Sequence, residues 1–152
     1  TEKEFNIWKQ IYCKQFPKKI KYVNIFLENS SQYLALTYAL KKANAIEVSI
    51  NPAMRGESLA RMINQTGSKL LFTSGIQLEA LDQIRDSITN IESLIMLDSV
   101  DQAQKLFPEL QIIFFEDLLS NCQDHIDSLA KDTDIATILF TSGIVSVIVV
   151  SW

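Results

Sequence analysis

Short apolar segments rich in β-branched residues alternate along this chain with amphipathic segments that are about a dozen residues long. The first pattern is typical of buried strands in a parallel sheet, and the second is typical of helices that pack on a sheet. Because a strand followed by a helix and a second strand forms a right-handed βαβ unit, repetition of this pattern builds a parallel sheet. The sequence therefore predicts an α/β fold, with a mostly parallel sheet and helices on both of its faces.

The alternation assigns most of the chain to particular strands and helices. The predicted strands are Tyr22–Leu27, Ala45–Ile50, Lys69–Phe72, Ile91–Leu97, Gln111–Phe115 and Ile135–Phe140. The predicted helices are residues 4–16, Ser31–Ala43, Arg55–Thr66, Leu78–Ile88 and Asp101–Leu106, with a helical turn at Glu116–Ser120. Helix Ser31–Ala43 is apolar on nearly every side and strand Ile135–Phe140 is almost entirely apolar, so both are expected to be buried.

The composition argues against several classes of protein. A net charge of −4 and the lack of a basic block disfavour a protein that coats nucleic acid or binds a membrane surface. No apolar segment approaches the roughly 20 residues that cross a bilayer, and the polar start Thr1–Glu4 is unlike a signal peptide. Cys13 and Cys122 are far apart in the sequence, which predicts reduced thiols in a cytoplasmic protein.

The last strand of the alternating pattern ends in a short polar loop. Ile135–Phe140 is followed directly by Thr141, Ser142 and Gly143. These residues present backbone N–H groups and hydroxyls with no bulky side chain in the way, which is what a phosphate-binding loop requires. Thr141, Ser142 and Gly143 are therefore the candidate phosphate-binding residues. No catalytic residue and no metal ligand is assigned.

The residues around this loop resemble a known family. Residues 134–143, Asp-Ile-Ala-Thr-Ile-Leu-Phe-Thr-Ser-Gly, are similar to the start of the phosphate-binding loop of adenylate-forming enzymes, the acyl-CoA synthetase and AMP-dependent ligase family. The resemblance also includes Ile25–Ser30, Tyr33–Leu36, Ala45–Val48, Ile50–Pro52 and Arg55–Leu59, which look most similar to the carnitine- and crotonobetaine-CoA ligase branch. It implies that residues 1–152 are a partial AMP-binding domain, the amino-terminal part of the large domain.

The sequence departs from the family pattern after Gly143. In the family the loop continues with Thr-Thr-Gly, two variable residues, Lys-Gly and a hydrophobic strand. Here Ile144–Val147 follows, and Ile148–Trp152 matches the hydrophobic strand, so the second glycine and the lysine are missing. That lysine is the cation expected near the nucleotide phosphates. Residues 144–152 are accordingly interpreted as a divergent, truncated end of the loop.

The resemblance implies a two-step ligase reaction that belongs to fatty acid and related acyl metabolism. A carboxylic acid reacts with ATP and Mg²⁺ to give an acyl-adenylate, and coenzyme A then displaces AMP. Only Thr141, Ser142 and Gly143 carry over from the family's phosphate loop. The chain alone is therefore expected to bind neither ATP nor Mg²⁺ tightly and to be inactive.

Two further features allow more than one interpretation. Leu71–Ile76 and Leu139–Ile144 share the six residues Leu-Phe-Thr-Ser-Gly-Ile, which is explained by the residue types that strand-to-loop exits favour. Phosphate binding at Thr73–Gly75 is the alternative. His125, between Asp124 and Asp127, is interpreted as a solvent-exposed residue rather than an acid–base catalyst, because no nucleophile accompanies it.

Proteins of other classes also fit part of the pattern. The chain could be a non-catalytic remnant or an interaction module without nucleotide binding, and residues 144–152 could then mediate self-association, because this segment is uncharged and has high β propensity. A small dinucleotide-binding protein is disfavoured. The chain has only four glycines and lacks the glycine fingerprint of that class.

Overall fold

One seven-stranded sheet organises the computed structural model, which describes residues 22–120, 131, 133–140 and 147–151. The strands are β1 (Tyr22–Ile25), β2 (Ile46–Ser49), β3 (Leu70–Thr73), β4 (Ser93–Met96), β5 (Gln111–Phe114), β6 (Ile135–Phe140) and β7 (Val147–Ser151). Their order across the sheet is β5-β4-β3-β1-β2-β6-β7. Strands β1 to β6 are parallel and β7 is antiparallel to β6, which confirms the α/β prediction.

Helices follow most of the strands, as the alternation predicted. They are α1 (Ser31–Lys42), α2 (Gly56–Gln65), α3 (Leu78–Asp82), α4 (Val100–Leu106) and α5 (Phe115–Ser120). Helix α1 begins where the Ser30 hydroxyl accepts a hydrogen bond of 3.0 Å from the backbone N–H of Tyr33. After α2, Gly67 adopts a left-handed φ of +65°, which side chains other than glycine disfavour. The predicted helix over residues 4–16, Cys13, Cys122 and His125 lie outside the described residues.

The predicted helix Leu78–Ile88 is shorter in the structure. Only Leu78–Asp82 is α-helical, and 3₁₀ turns flank it at Gly75–Gln77 and Arg85–Ser87. The apolar residues Leu78, Leu81 and Ile84 recur at every third position, and all three are buried. Leu78 and Leu81 lie in the short α-helix and Ile84 follows it, and their spacing places all three in the same apolar layer of the core.

The core has two apolar layers, one on each face of the sheet. On one face α1 supplies Leu36, Ala39 and Leu40, which pack against Val23, Ile25 and Phe72. On the other face α2, α3 and α4 supply Leu59, Ile63, Leu78, Leu81 and Ala103, which pack against Phe26, Leu71 and Leu94. Successive strand residues point to opposite faces, so the fully buried strand β3 contributes to both layers.

Two burial predictions were wrong. Helix α1 is not buried all round, because Leu34 is 57 % exposed and Tyr38 is 45 % exposed. Strand β6 is not a buried strand either, because Ile135 is 40 % exposed and Leu139 is 38 % exposed. The register of β6 against β7 shifts between Ile135 and Thr137, so the alternation of faces is interrupted there. Among the described residues, β7 is the one strand beyond β6 in the sheet, and Ile135 and Leu139 stay partly exposed.

Candidate functional site

The predicted phosphate-binding residues follow the strand β6. The carboxyl ends of parallel strands meet at one edge of a sheet, and doubly wound α/β folds bind their ligands at that edge. Since β6 is parallel to β2 and ends at Phe140, the chain leaves β6 at this carboxyl edge. Thr141, Ser142 and Gly143 lie outside the described residues, so their role stays a prediction.

The strand expected after the loop is present. Residues 141–146 join β6 to β7, and Phe140 pairs with Val147 in the antiparallel ladder. Strand β7 covers Val147–Ser151, one residue earlier at each end than the segment Ile148–Trp152 matched to the family pattern. Strands β6 and β7 are therefore antiparallel neighbours, and the candidate phosphate-binding residues come first in the segment between them.

A partly buried polar cluster lies between α1 and β2. The Tyr33 hydroxyl donates a hydrogen bond of 2.7 Å to Glu47 Oε1 and shares a second one, 2.6 Å long, with Ser49 Oγ. The phenol has a single proton, so with that proton given to Glu47 the Ser49 hydroxyl must donate to the phenolic oxygen. Glu47 is only 3 % exposed, and its Oε2 has no hydrogen-bond partner in the described part of the chain.

This cluster is adjacent to the strand that enters the phosphate loop. Ser49 pairs in register with Leu139 of β6, two residues before Thr141. Burial raises the pKa of the Tyr33 phenol above its usual value, and the negative charge of Glu47 raises that pKa further. The phenol therefore stays a hydrogen-bond donor and connects α1 to the carboxyl half of β2. Sequence analysis did not identify this cluster, although a glutamate inside the apolar strand Ala45–Ile50 is a signal for it.

The other copy of the repeated hexapeptide is closed by a carboxylate. The backbone N–H of Gly75 donates a hydrogen bond of 2.5 Å to Asp98 Oδ1, just beyond the end of β4. A Cβ on Gly75 would lie 2.7 Å from Ser99 Cβ and 2.8 Å from Asp98 Oδ1, so only glycine fits. A phosphate at Thr73–Gly75 would compete with this hydrogen bond and would be repelled by the Asp98 charge. The geometry therefore argues against phosphate binding at Thr73–Gly75.

The carboxyl ends of β1 and β3 lie where the strand order reverses, because the chain passes from β1 to β2 on one side and returns to β3 on the other. Gln77 Nε2 donates a hydrogen bond of 3.3 Å to Glu28 Oε1 near these strand ends. Gln77 Oε1 and Thr73 Oγ1 are buried, and neither has a partner among the described residues.

The part of the chain that the structure describes contains no group of three or more His, Cys, Asp or Glu side chains that could hold a metal ion. Within the same residues, no helix is both long enough and apolar enough to cross a bilayer.

The fold indicates the class of protein. A mainly parallel sheet with helices on both faces is an α/β arrangement, and such folds bind ligands at the carboxyl edge of the sheet, where β6 ends. A family model described as AMP-binding enzyme matches residues 18–145. The chain belongs to the AMP-binding enzyme family.

Solved structures of three ligases share this fold. An anthranilate CoA ligase in complex with anthranoyl-AMP superposes with a TM-score of 0.78 at 14 % sequence identity. The match covers 99 % of this chain and 27 % of the ligase chain. A long-chain-fatty-acid-CoA ligase from Archaeoglobus fulgidus has a TM-score of 0.78, 16 % identity and coverages of 98 % and 28 %. Coronafacic acid ligase from Pectobacterium brasiliense has a TM-score of 0.79, 19 % identity and coverages of 97 % and 28 %.

These similarities concern the fold and only part of each enzyme. Identities of 14–19 % show a shared fold and do not show a shared substrate. The chain spans 27–28 % of the length of these three ligases. No curated protein matches the chain.

Proposed function

We propose that this chain is the amino-terminal part of the large domain of an ATP-dependent acyl-CoA ligase. The observation that carries the proposal is the match of the AMP-binding enzyme family over residues 18–145, a range that ends inside the predicted phosphate loop. The position of β6 supports it, because Thr141 follows a parallel strand at its carboxyl end. The segments Ile25–Ser30, Ala45–Val48 and Arg55–Leu59 further favour the carnitine- and crotonobetaine-CoA ligase branch.

The proposed reaction of the whole enzyme consumes a carboxylic acid, ATP and coenzyme A. The acid attacks the α-phosphate of ATP and releases pyrophosphate, and the thiol of coenzyme A then displaces AMP from the acyl-adenylate. In this scheme Thr141, Ser142 and Gly143 hold the departing phosphates with hydroxyl and backbone N–H donors. Fatty acid or related acyl metabolism in the cytoplasm is the proposed context.

The donor set fits nucleotide phosphates better than it fits a protein-held metal. Hydroxyls and glycine N–H groups suit phosphate oxygens. Mg²⁺ in such sites is coordinated largely by the phosphates themselves, with one or two carboxylates and water. ATP is accordingly proposed to bring Mg²⁺ with it, and no residue of this chain is assigned as a metal ligand.

The 152-residue chain by itself is expected to bind Mg-ATP no more tightly than the millimolar range and to form no acyl-adenylate. The physical reason is that its loop lacks the second glycine and the lysine of the family pattern, so few donors contact the phosphates. Isothermal titration with Mg-ATP measures the affinity. Acid-dependent exchange of labelled pyrophosphate into ATP measures adenylate formation.

Micromolar affinity for Mg-ATP, or measurable pyrophosphate exchange by the purified chain, would contradict the expectation that this chain alone is inactive.

Sequencing the transcript through the codons for residues 140–152 and onward tests whether this chain is part of a longer ligase. A reading frame that supplies Lys-Gly followed by the remainder of a ligase supports the proposal. A transcript without any such sequence restricts the ligase interpretation to ancestry.

A second candidate function is a protein-interaction module without nucleotide binding. The observation that favours it is the position of β7 at the edge of the sheet, next to the exposed Ile135 and Leu139 of β6. Residues 147–151, Val-Ile-Val-Val-Ser, contain neither the charge nor the proline that commonly protects an edge strand. Such an edge can pair with the same edge of a second copy.

The interaction module predicts concentration-dependent self-association of the full chain. The variant Val149→Lys places a charge in the edge strand and is expected to elute as a monomer from a size-exclusion column, as is a chain trimmed before residue 144. The full chain is expected to elute earlier as its concentration is raised. If all three proteins elute identically as monomers, self-association through residues 144–152 is wrong.

A further inference from the structure

The order of strands β1 to β5 is that of a doubly wound sheet whose direction reverses between β1 and β3. The chain passes from β1 to β2 on one side, then returns to β3 and continues through β4 to β5 on the other. In open α/β sheets of this order, ligands bind outside the carboxyl ends of the two strands at the reversal. The carboxyl ends of β1 and β3 are therefore where a ligand site away from β6 is expected.

Two buried oxygen atoms near the end of β3 have no partner. Thr73, the last residue of β3, is 0 % exposed and Gln77 is 1 % exposed. Neither Thr73 Oγ1 nor Gln77 Oε1 has a hydrogen-bond partner among the described residues. Buried polar groups are normally hydrogen-bonded, because an unpaired one costs its desolvation free energy. Two such atoms near one strand end point to a ligand that donates hydrogen bonds.

Both residues belong to the side of the sheet that α3 covers. Thr73 and Leu71 are alternate residues of β3 and therefore share a face. Leu71 packs in the same apolar layer as Leu78 of α3, and Gln77 directly precedes Leu78. The backbone N–H of Gln77 donates a hydrogen bond of 3.0 Å to the carbonyl oxygen of Ser74, so the chain turns tightly between Thr73 and Gln77.

Glu28 connects this strand end to β1. Gln77 Nε2 donates a hydrogen bond of 3.3 Å to Glu28 Oε1, which turns the amide nitrogen toward the carboxylate and leaves Gln77 Oε1 for another donor. This bond is longer than most N–H···O hydrogen bonds, so Glu28 can turn toward a ligand at little cost. Glu28 and Ile76, which precedes Gln77 in the sequence, are both exposed, so a ligand can approach from solvent.

The charge at these strand ends is negative. Glu28 follows β1, and Asp98, which accepts a hydrogen bond from the backbone N–H of Gly75, follows β4. In the described part of the chain, the ion pairs of lysine and arginine involve other carboxylates. Acceptor oxygens next to unneutralised carboxylates disfavour an anion and suit a cation that carries N–H donors.

We propose that the carboxyl ends of β1 and β3 bind a small molecule through a primary ammonium group. An ammonium has three N–H donors and no acceptor. Two of these donors contact Gln77 Oε1 and Thr73 Oγ1, and the positive charge is attracted by Glu28, which also orients the Gln77 amide. Strand β2 separates β1 from β6, so this site is distinct from the predicted phosphate loop and does not depend on the proposed ligase activity.

Methylammonium chloride is the probe for this site, and the amide signal of Gly75 is the reporter. Labelling with ¹⁵N-glycine gives signals from only four residues. The Gly75 signal is expected to shift saturably with methylammonium, because Gly75 lies between Thr73 and Gln77 in the sequence. Gly67, which precedes the amino end of β3, is the reference and is expected to stay. Tetramethylammonium has the same charge without N–H donors and is expected to leave Gly75 unchanged at equal concentration.

Variants test the hydroxyl and the charge separately. Thr73→Val keeps the shape of the side chain without the hydroxyl and is expected to weaken methylammonium binding about tenfold, whereas Thr73→Ser is expected to keep it. The midpoint of thermal unfolding is expected not to fall in Thr73→Val, because the hydroxyl has no described partner to lose. Glu28→Gln is expected to weaken binding, and Glu79→Gln, which changes an exposed residue of α3, is the control and is expected to have no effect.

Three results would overturn the ammonium site. The first is a Gly75 signal that responds equally to methylammonium and tetramethylammonium, or to neither. The second is a titration that is unchanged in Thr73→Val. The third is an unfolding midpoint several degrees lower in Thr73→Val together with no methylammonium response in the wild type, which would mean that internal water satisfies these oxygen atoms. Unchanged Gly67 signals show that each variant is folded.

Discussion

Replacing Leu71 by alanine is expected to lower the free energy of unfolding by about 2–5 kcal/mol, as large-to-small changes in a packed core do. The same replacement at Leu139 is expected to lower it by about 1 kcal/mol or less, because burial scales with apolar area removed from water. Leu71 is 0 % exposed in the central strand β3, whereas Leu139 is 38 % exposed in β6. Both leucines begin the same hexapeptide, so the local sequence is a matched control.

Urea unfolding followed by circular dichroism measures both variants. If the slope of the unfolding free energy against urea concentration is the same in both variants as in the wild type, the same surface is exposed on unfolding in all three proteins. Equal losses of several kcal/mol at both positions would mean that the face of β6 is covered in solution, by another copy of the chain or by further polypeptide. Repeating the measurement at several protein concentrations distinguishes a second copy from an intramolecular cover, because only the former depends on concentration.

The two leucines also show what local sequence predicts. The hexapeptide correctly predicts the end of a strand in both places, at Thr73 of β3 and at Phe140 of β6, because strand propensity is a local property. Burial is not local. Leu71 is covered on its face by α2 and α3, while Leu139 lies one strand from the sheet edge with part of its face open. The sequence pattern of β6 is that of a buried strand, and its exposure depends on which elements pack beside it.

The same distinction applies to the candidate site. Thr141, Ser142 and Gly143 could be predicted because a Thr-Ser-Gly loop after an apolar strand is a contiguous pattern. Tyr33 and Glu47 could not be paired from the sequence, because 14 residues separate them and only the packing of α1 on β2 brings them together. Gly75 and Asp98 could not be paired from the sequence either, because 23 residues separate them and the packing of neighbouring strands brings them together.

The structure of residues 75–88 gives a further example. The spacing of Leu78, Leu81, Ile84 and Ile88 suits one face of a long helix, and the first three are indeed buried. This spacing fits one continuous α-helix and also fits a short α-helix flanked by 3₁₀ turns. In both arrangements, residues three apart in sequence lie on nearly the same face. The apolar face was predictable, and the type of winding was not.

Introducing a side chain at Gly75 is expected to destabilise the protein by about 1–3 kcal/mol, because overpacking forces neighbouring atoms to move. Gly75→Ala would place its Cβ 2.7 Å from Ser99 Cβ, and the backbone there is fixed by the hydrogen bond between Gly75 and Asp98. Ser99→Gly removes the two nearest obstructing atoms, Ser99 Oγ and Cβ, and leaves Asp98 Oδ1 at 2.8 Å. It also suits the left-handed φ of +53° at position 99, so this change alone is expected to cost little.

A double-mutant cycle measures the free energy of the clash between a side chain at position 75 and the side chain of Ser99. The combination Gly75→Ala with Ser99→Gly is expected to recover most of the stability that Gly75→Ala loses, since the two residues touch and their effects are not additive. Thermal or urea unfolding of the four proteins gives the coupling energy. Additive effects would show that Ser99 does not enforce glycine at position 75, and the Asp98 hydrogen bond alone would then account for the closed loop.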